Sequence, residues 1–183
     1  DALKLNTAAN NTALGFAALE ANTTGTLNTA AGQGALDANT TGGSNTAIGT
    51  NALGVQQTSS DNTAVGKSAL SDNTSGVEQV AVGSIALDAN TTGSVNTAIG
   101  YGALTDNTTG SSNTAVGKTA LGDNTTADNN TAIGRDAMRV NTTGTQNVAV
   151  GAYTLDANTT SSNNTAVGYE ALTANTTGQA NTA

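Results

Sequence analysis

Seven carboxylates in this 183-residue chain sit at spacings that could serve chemistry. Glu20, Asp37, Asp88 and Asp156 are separated by multiples of 17 residues, and Asp72, Asp106 and Asp123 share the next phase of the same period. Two carboxylates facing a cleft can hydrolyse a glycosidic bond, and a denser oxygen cage can hold calcium. The pattern favours neither. The acids recur instead of standing alone, a stack of thin repeats offers no cleft, and the G-G-x-G-x-D signature of calcium-binding repeats is absent. They read as solvated surface. With no His and no Cys, the common zinc, haem, iron–sulfur and thiol sites have no ligands, and Ser-His-Asp and Cys-His nucleophiles cannot be assembled. No catalytic, metal or cofactor site is expected, and no enzymatic activity.

Two other residue classes invite a functional reading. N-x-(S/T) acceptor sequons stand at Asn22, Asn39, Asn73, Asn90, Asn107, Asn124, Asn141, Asn158 and Asn175. They follow automatically from a repeated N-T-T, and they read as corner residues without sugar. Threonines also repeat, for example Thr12, Thr29, Thr46 and Thr63, so an exposed Thr array that orders ice-like water is an alternative. Val80 and Val148 interrupt that series.

What positions all of these is an unbroken period of 17. Gly15, Gly32, Gly49, Gly66, Gly83, Gly100, Gly117, Gly134, Gly151 and Gly168 follow one another at that interval without insertion or deletion, in the consensus N-T-A-(V/I)-G-x-x-A-L-x-x-N-T-T-G-x-x. With this glycine as slot 0, slot −2 is always Ala, slot +3 is Ala except Thr154, and slot +4 is Leu except Met138. Slot −4 is Asn except Gln79, and slot +7 is Asn except Gln56. Only 29 residues are Leu, Ile, Val or Phe, too few for a wide globular core. The low charge and the absence of Pro argue against disorder.

A 17-residue unit with two glycines and an N-T-T run is a poor helix. It suits one coil of an all-β parallel β-solenoid, or β-roll, with T-A-(V/I) as a short strand and N-T-T-G as a corner. The chain is expected to be one domain, residues 1–183, of about eleven coils rising about 4.8 Å each. Residues 1–10 form a partial coil, 11–180 ten full coils, and 181–183 a second partial coil.

Stacking places like residues on like. Two inner apolar ladders are expected: Ile48, Val65, Val82, Ile99, Val116, Ile133, Val150 and Val167 at slot −1, and Leu53, Leu70, Leu87, Leu104, Leu121, Met138, Leu155 and Leu172 at slot +4. Two Asn ladders are expected near the corners: Asn45, Asn62, Asn96 and Asn113 at slot −4, and Asn73, Asn90, Asn107 and Asn124 at slot +7, their amides bonded coil to coil. The small residues at slots −2, 0 and +3 have two readings: sterics within the coil, or close approach of a second chain. Two coils deviate, GVQQTSS at 54–60 and RDAMRV at 135–140, the latter concentrating Arg135 and Arg139.

The run Asn96-Thr97-Ala98-Ile99-Gly100-Tyr101-Gly102-Ala103-Leu104-Thr105-Asp106-Asn107-Thr108-Thr109-Gly110 resembles the NTA(V/I)GxxAL repeats of phage tail-fibre shafts and large bacterial surface proteins. It is also similar to the shorter repeats in the head β-rolls of YadA-type trimeric autotransporter adhesins. The similarity covers residues 11–183. It implies a structural, extracellular or cell-surface fibre, or a virion fibre. It also implies self-association and a host or cell-surface receptor as a further partner.

A formal charge of −8 disfavours nucleic acid, and no stretch is apolar enough to span a membrane. The chain ends carry one more expectation. Ala2-Leu3-Lys4-Leu5-Asn6-Thr7 is a repeat one residue short, Asn181-Thr182-Ala183 opens another, and together they leave the chain four residues short of eleven repeats. Read as a junction, Asp1, Ala2 and Leu3 meet Asn181, Thr182 and Ala183 of the next protomer, head to tail; the alternatives are a side-by-side trimer or a fragment of a longer shaft.

Overall fold

The computed structural model describes residues 1–183 as an all-β parallel solenoid without a helix. Ten three-residue strands form one sheet in chain order: β1 (Thr12–Leu14), β2 (Thr29–Ala31), β3 (Thr46–Ile48), β4 (Thr63–Val65), β5 (Val80–Val82), β6 (Thr97–Ile99), β7 (Thr114–Val116), β8 (Thr131–Ile133), β9 (Val148–Val150) and β10 (Thr165–Val167). Nine 17-residue turns lie between the first strand and the last. Every pairing is parallel and in register, Ala98 on Ala115 and Ile99 on Val116 for example.

The strands are the smaller part of what holds the stack. Of 108 backbone hydrogen bonds, only 18 lie within the sheet. The remainder flank the strands or run through the corners, where bonds inside a coil alternate with bonds to the next. The Ala103 N–H donates to the Gly100 carbonyl of its own coil at 3.4 Å, and the Leu104 N–H donates to Ala120 of the next at 3.0 Å. Tight winding needs left-handed backbone at slots +2, +4 and +12, so thirty non-glycine residues have positive φ, among them Ile85, Val95 and every slot +4 leucine.

The slot 0 glycine is needed twice over. Gly100 has φ +134°, and a Cβ there would lie 2.5 Å from the Gly117 carbonyl oxygen. With Ala at slots −2 and +3 buried in the chain's own core, coil stacking accounts for all three small slots.

The core is narrower than the sequence suggested. Each interior coil buries one Leu, or Met138, and two small residues, Ala98, Ala103 and Leu104 being fully inaccessible. Leu53, Leu70, Leu87, Leu104, Leu121, Met138 and Leu155 form the inward ladder, and Leu172 is half-buried against it.

The slot −1 expectation is corrected. Ile48, Val65, Val82, Ile99, Val116, Ile133, Val150 and Val167 are not an inner ladder; they are half-buried or exposed, Ile99 at 39% and Val167 at 61%. The reason is the strand's two-residue period. The slot −2 alanines point inward, as Ala98 does, so slots −3 and −1 must point outward. A methyl is what fits opposite the Leu ladder.

The asparagines of both corners are inside. At slot +7, the Asn107 amide donates to Asn90 Oδ1 at 2.8 Å and to the Gly110 carbonyl at 3.0 Å, and Asn124 donates to Asn107 Oδ1 at 2.8 Å. The ladder reaches Asn73, whose Oδ1 accepts from the Asn90 amide at 3.1 Å.

Slot −4 works differently. The backbone N–H of Asn113 donates to Asn96 Oδ1 at 2.9 Å, and the Asn113 amide donates to the Ala127 carbonyl at 2.8 Å. Asn45 and Asn62 repeat that backbone link at 3.1 Å. Gln56 and Gln79 keep the pattern, Gln56 donating to the Ser59 carbonyl at 2.8 Å, so the deviant stretch 54–60 preserves its corner. Every buried side-chain polar atom has a partner.

Residues 1–10 and 181–183 stack on the coils beside them. The Leu3 N–H donates to Ala18 at 3.0 Å, and Thr182 bridges to Thr165. Three residues separate Thr7 from Asn11 where four separate Thr23 from Asn28, so the missing residue falls within 8–10. Asp1, Ala2 and Leu3 therefore lie at the opposite end of the stack from Asn181, Thr182 and Ala183.

Candidate functional site

Winding sorts the slots onto three surfaces. The first is the outward face of the ten-stranded sheet. It carries slot −3 (eight Thr, with Val80 and Val148) and slot −1 (Val and Ile, with Leu14 and Ala31) as two parallel ladders running the length of the rod, with no charged residue in either. Leu14 is 73% exposed. Phase alone hid this face, because the bulkiest residue of the strand points out.

The second surface is the N-T-T corner. Its two Thr ladders have different uses. The slot +8 hydroxyls are consumed between coils, Thr91 Oγ1 donating to the Thr108 carbonyl at 3.0 Å and Thr108 Oγ1 to the Thr125 carbonyl at 3.0 Å. Slot +9, including Thr92 and Thr109, is exposed. The sequon asparagines beneath, such as Asn107, are fully buried and hydrogen-bonded from Asn22 to Asn158, and Asn175 in the last coil is half-buried. The amide nitrogens of the buried eight are therefore closed to glycosylation while the coil is folded.

The third surface is a groove between slots +1 and +2 on one side and slot +5 on the other. Of the acids spaced by the repeat, Asp37, Asp72 and Asp156 line its wider parts. Asp37 and Asp88 are half-buried there, and burial holds both carboxyls above their ordinary value. Glu20 in the neighbouring coil adds to the effect at Asp37, and Asp72 adds to it at Asp88. Thr105 Oγ1 donates to Asp88 at 2.8 Å and opposes the shift.

The groove widens twice. A cavity of about 350 Å³ is lined by polar groups including Asp37, Asn51, Ser68 and Asp72. A second, of about 370 Å³, is lined by Tyr153, Asp156, Tyr169, Glu170 and Thr173. No group of three or more carboxylates is placed to share a metal ion.

Around the second cavity the structure assembles what the sequence left apart. Tyr153 and Tyr169 meet edge to face, with centroids 6.1 Å apart at 89°. The Arg135 guanidinium lies 5.3 Å from the Tyr153 centroid and bonds Asp136 at 3.0 Å. Arg139 pairs with Asp123 at 3.7 Å. The legible clue was spacing: 135, 153 and 169 are separated by 18 and 16, one residue either side of the period, so the three meet diagonally across adjacent coils.

Comparison with protein-family models, with curated proteins and with solved structures found no match to this chain.

Proposed function

We propose that the chain is a structural module of an extracellular or cell-surface fibre or shaft, in which copies pack side by side through the outward Thr and Val/Ile ladders. The carrying observation is that this face is uncharged and uncovered over all ten strands. Two ladders about 7 Å apart along roughly 43 Å of sheet make a strip on the order of 500 Å² with their side chains. That is the size of the largest patch on a typical monomer, and such patches are often functional. Because the strip is periodic, its contact area grows with the number of coils, which suits long assemblies better than a single docking event.

In this reading the rod has about eleven coils, residues 1–10 and 181–183 supplying the partial ones. Lengthening the fibre continues the same Leu and Asn ladders. The extracellular or virion setting, and any adhesive role, rest on the likeness of the repeat to tail-fibre shafts and adhesin heads.

The test is the mass of the intact chain by light scattering across a wide concentration range, with electron microscopy of the same samples. Side-by-side assemblies are expected, and Ile99→Asp with Ile133→Asp, two coils apart on the outward face, should reduce them to single rods with an unchanged β-type circular dichroism spectrum. An intact chain that stays monomeric at its solubility limit overturns the proposal.

A second reading has its own observation. Thr at slot −3 shares the regular outward face with Val and Ile, an array able to order water as ice does. Thermal hysteresis of the single-rod variant in freezing solution would favour that reading over lateral packing.

A further inference from the structure

The cavity at Tyr153 and Tyr169 is unlike the rest of a highly regular molecule. The chain has one Phe and three Tyr, and two of those four rings meet here. The local sequence explains how. Slot +1 reads Arg135, Ala152, Tyr169 over three successive coils, and slot +2 reads Asp136, Tyr153, Glu170. Ala152 puts only a methyl between the two longer side chains of the first ladder, and Tyr153 follows it in the next slot. It meets Arg135 from the coil before and Tyr169 from the coil after.

Tyr153 therefore already carries a guanidinium against its ring, and that guanidinium is neutralised by Asp136 at 3.0 Å. Both rings line the cavity. There Asp156 and Glu170 line the wall with Thr173, and neither carboxylate takes part in any of the three ion pairs of the molecule. Glu170 also acts on Tyr169, first as hydrogen-bond acceptor and then as a negative charge, and holds its phenol above the ordinary value. A concave site lined by two tyrosine rings and by two carboxylates that form no ion pair, on a chain of net charge −8, is complementary to a cation.

We propose that the cavity bounded by Tyr153, Asp156, Tyr169, Glu170 and Thr173 binds an arginine side chain of a basic peptide partner. A planar guanidinium can lie against a ring while its N–H fork donates to carboxylates at the edge, which a compact ammonium does less well. The cavity repeats, with a foreign guanidinium, the arrangement that Arg135 makes with Tyr153 and Asp136. The companion cavity near Asp37 and Asp72 has acids but no ring, and it lacks the stacking half of the site.

The full chain has so few aromatic residues that each tyrosine can be followed separately by NMR. The probe is Nα-acetyl-arginine amide, with Nα-acetyl-citrulline amide as its uncharged isostere and methyl β-glucoside as a neutral ring-stacking ligand. The ring resonances of Tyr153 and Tyr169 should shift and saturate with the arginine probe. Tyr101, exposed on coil 6 away from the cavity, should not move. Asp156→Asn with Glu170→Gln, isosteric changes at accessible positions, should weaken the arginine probe at least tenfold and leave the circular dichroism spectrum unchanged. Equal response to citrulline, a response to the glucoside alone, or equal movement of Tyr101 would each overturn the assignment.

Discussion

At the level of single residues, the coil divides sharply between positions that cannot change and positions that can. Leu104 is fully buried between Leu87 and Leu121 in the inward ladder, whereas Ile99, five residues earlier and equally apolar, is 39% exposed on the outward face. Leu104→Ala removes a buried side chain from a core only one Leu wide, with little room to collapse. It is expected to cost about 2–5 kcal/mol in chemical denaturation. Ile99→Asp should cost less than about 1 kcal/mol in the single rod, because the charge stays in water. Equal losses would mean that the two ladders do not face opposite ways. The amides are as constrained as the leucines. Asn107 donates to Asn90 and Gly110 and accepts from Asn124, so its sequon is a by-product of a structural position.

Among the elements, the corner governs more than the strand. Three residues per coil are extended and the rest wind, with left-handed backbone recurring at fixed slots. Such a conformation costs an L-residue about 1–2 kcal/mol, least for Asn and Gly. Slot +12 is Asn at Asn10, Asn129 and Asn163, but it is Val at Val95, which is β-branched, 51% exposed and at φ 60°. Val95→Asn is therefore expected to stabilise by about 1 kcal/mol. That raises the melting temperature by roughly 2–4 °C for a chain of this size, measured by thermal denaturation. A fall instead would mean that the Val95 side chain contributes packing that outweighs the relief of strain.

For the whole molecule, regular stacking has an electrostatic consequence. Like and adjacent slots lie one coil apart, so acids in the groove lie near acids of the neighbouring coil, Asp37 near Glu20 in the same slot and Asp88 near Asp72 in the next. Burial first, and this repulsion second, raise both Asp carboxyls above their ordinary value. A carboxyl with a raised folded pKa holds its proton more tightly in the folded rod than in the unfolded chain. The stability this contributes is fully present below the unfolded pKa, about 3.9, and is lost as pH rises through the folded pKa. The melting temperature should therefore be higher near pH 4 than at pH 7. Asp37→Asn with Asp88→Asn should raise it at pH 7 and flatten the dependence. An unchanged pH profile in the double variant would place the linkage elsewhere.

The period, the parallel solenoid, the T-A-(V/I) strands, the Leu ladder and the stacked amides are all legible in the sequence. The reason is that a repeat with no insertion must place each residue over its own kind, and a period of 17 with two glycines leaves few ways to wind. The direction in which a strand residue points is not legible from that repetition. Slots −2 and −1 repeat equally well, and only the closed coil, with a Leu already filling its interior, decides that Ala98 goes in and Ile99 goes out. The groove and its tyrosine pair also depended on tertiary structure. Arg135, Tyr153 and Tyr169 are out of phase with one another in sequence, and winding brings them together because adjacent coils put residues 16 and 18 apart in contact as readily as residues 17 apart.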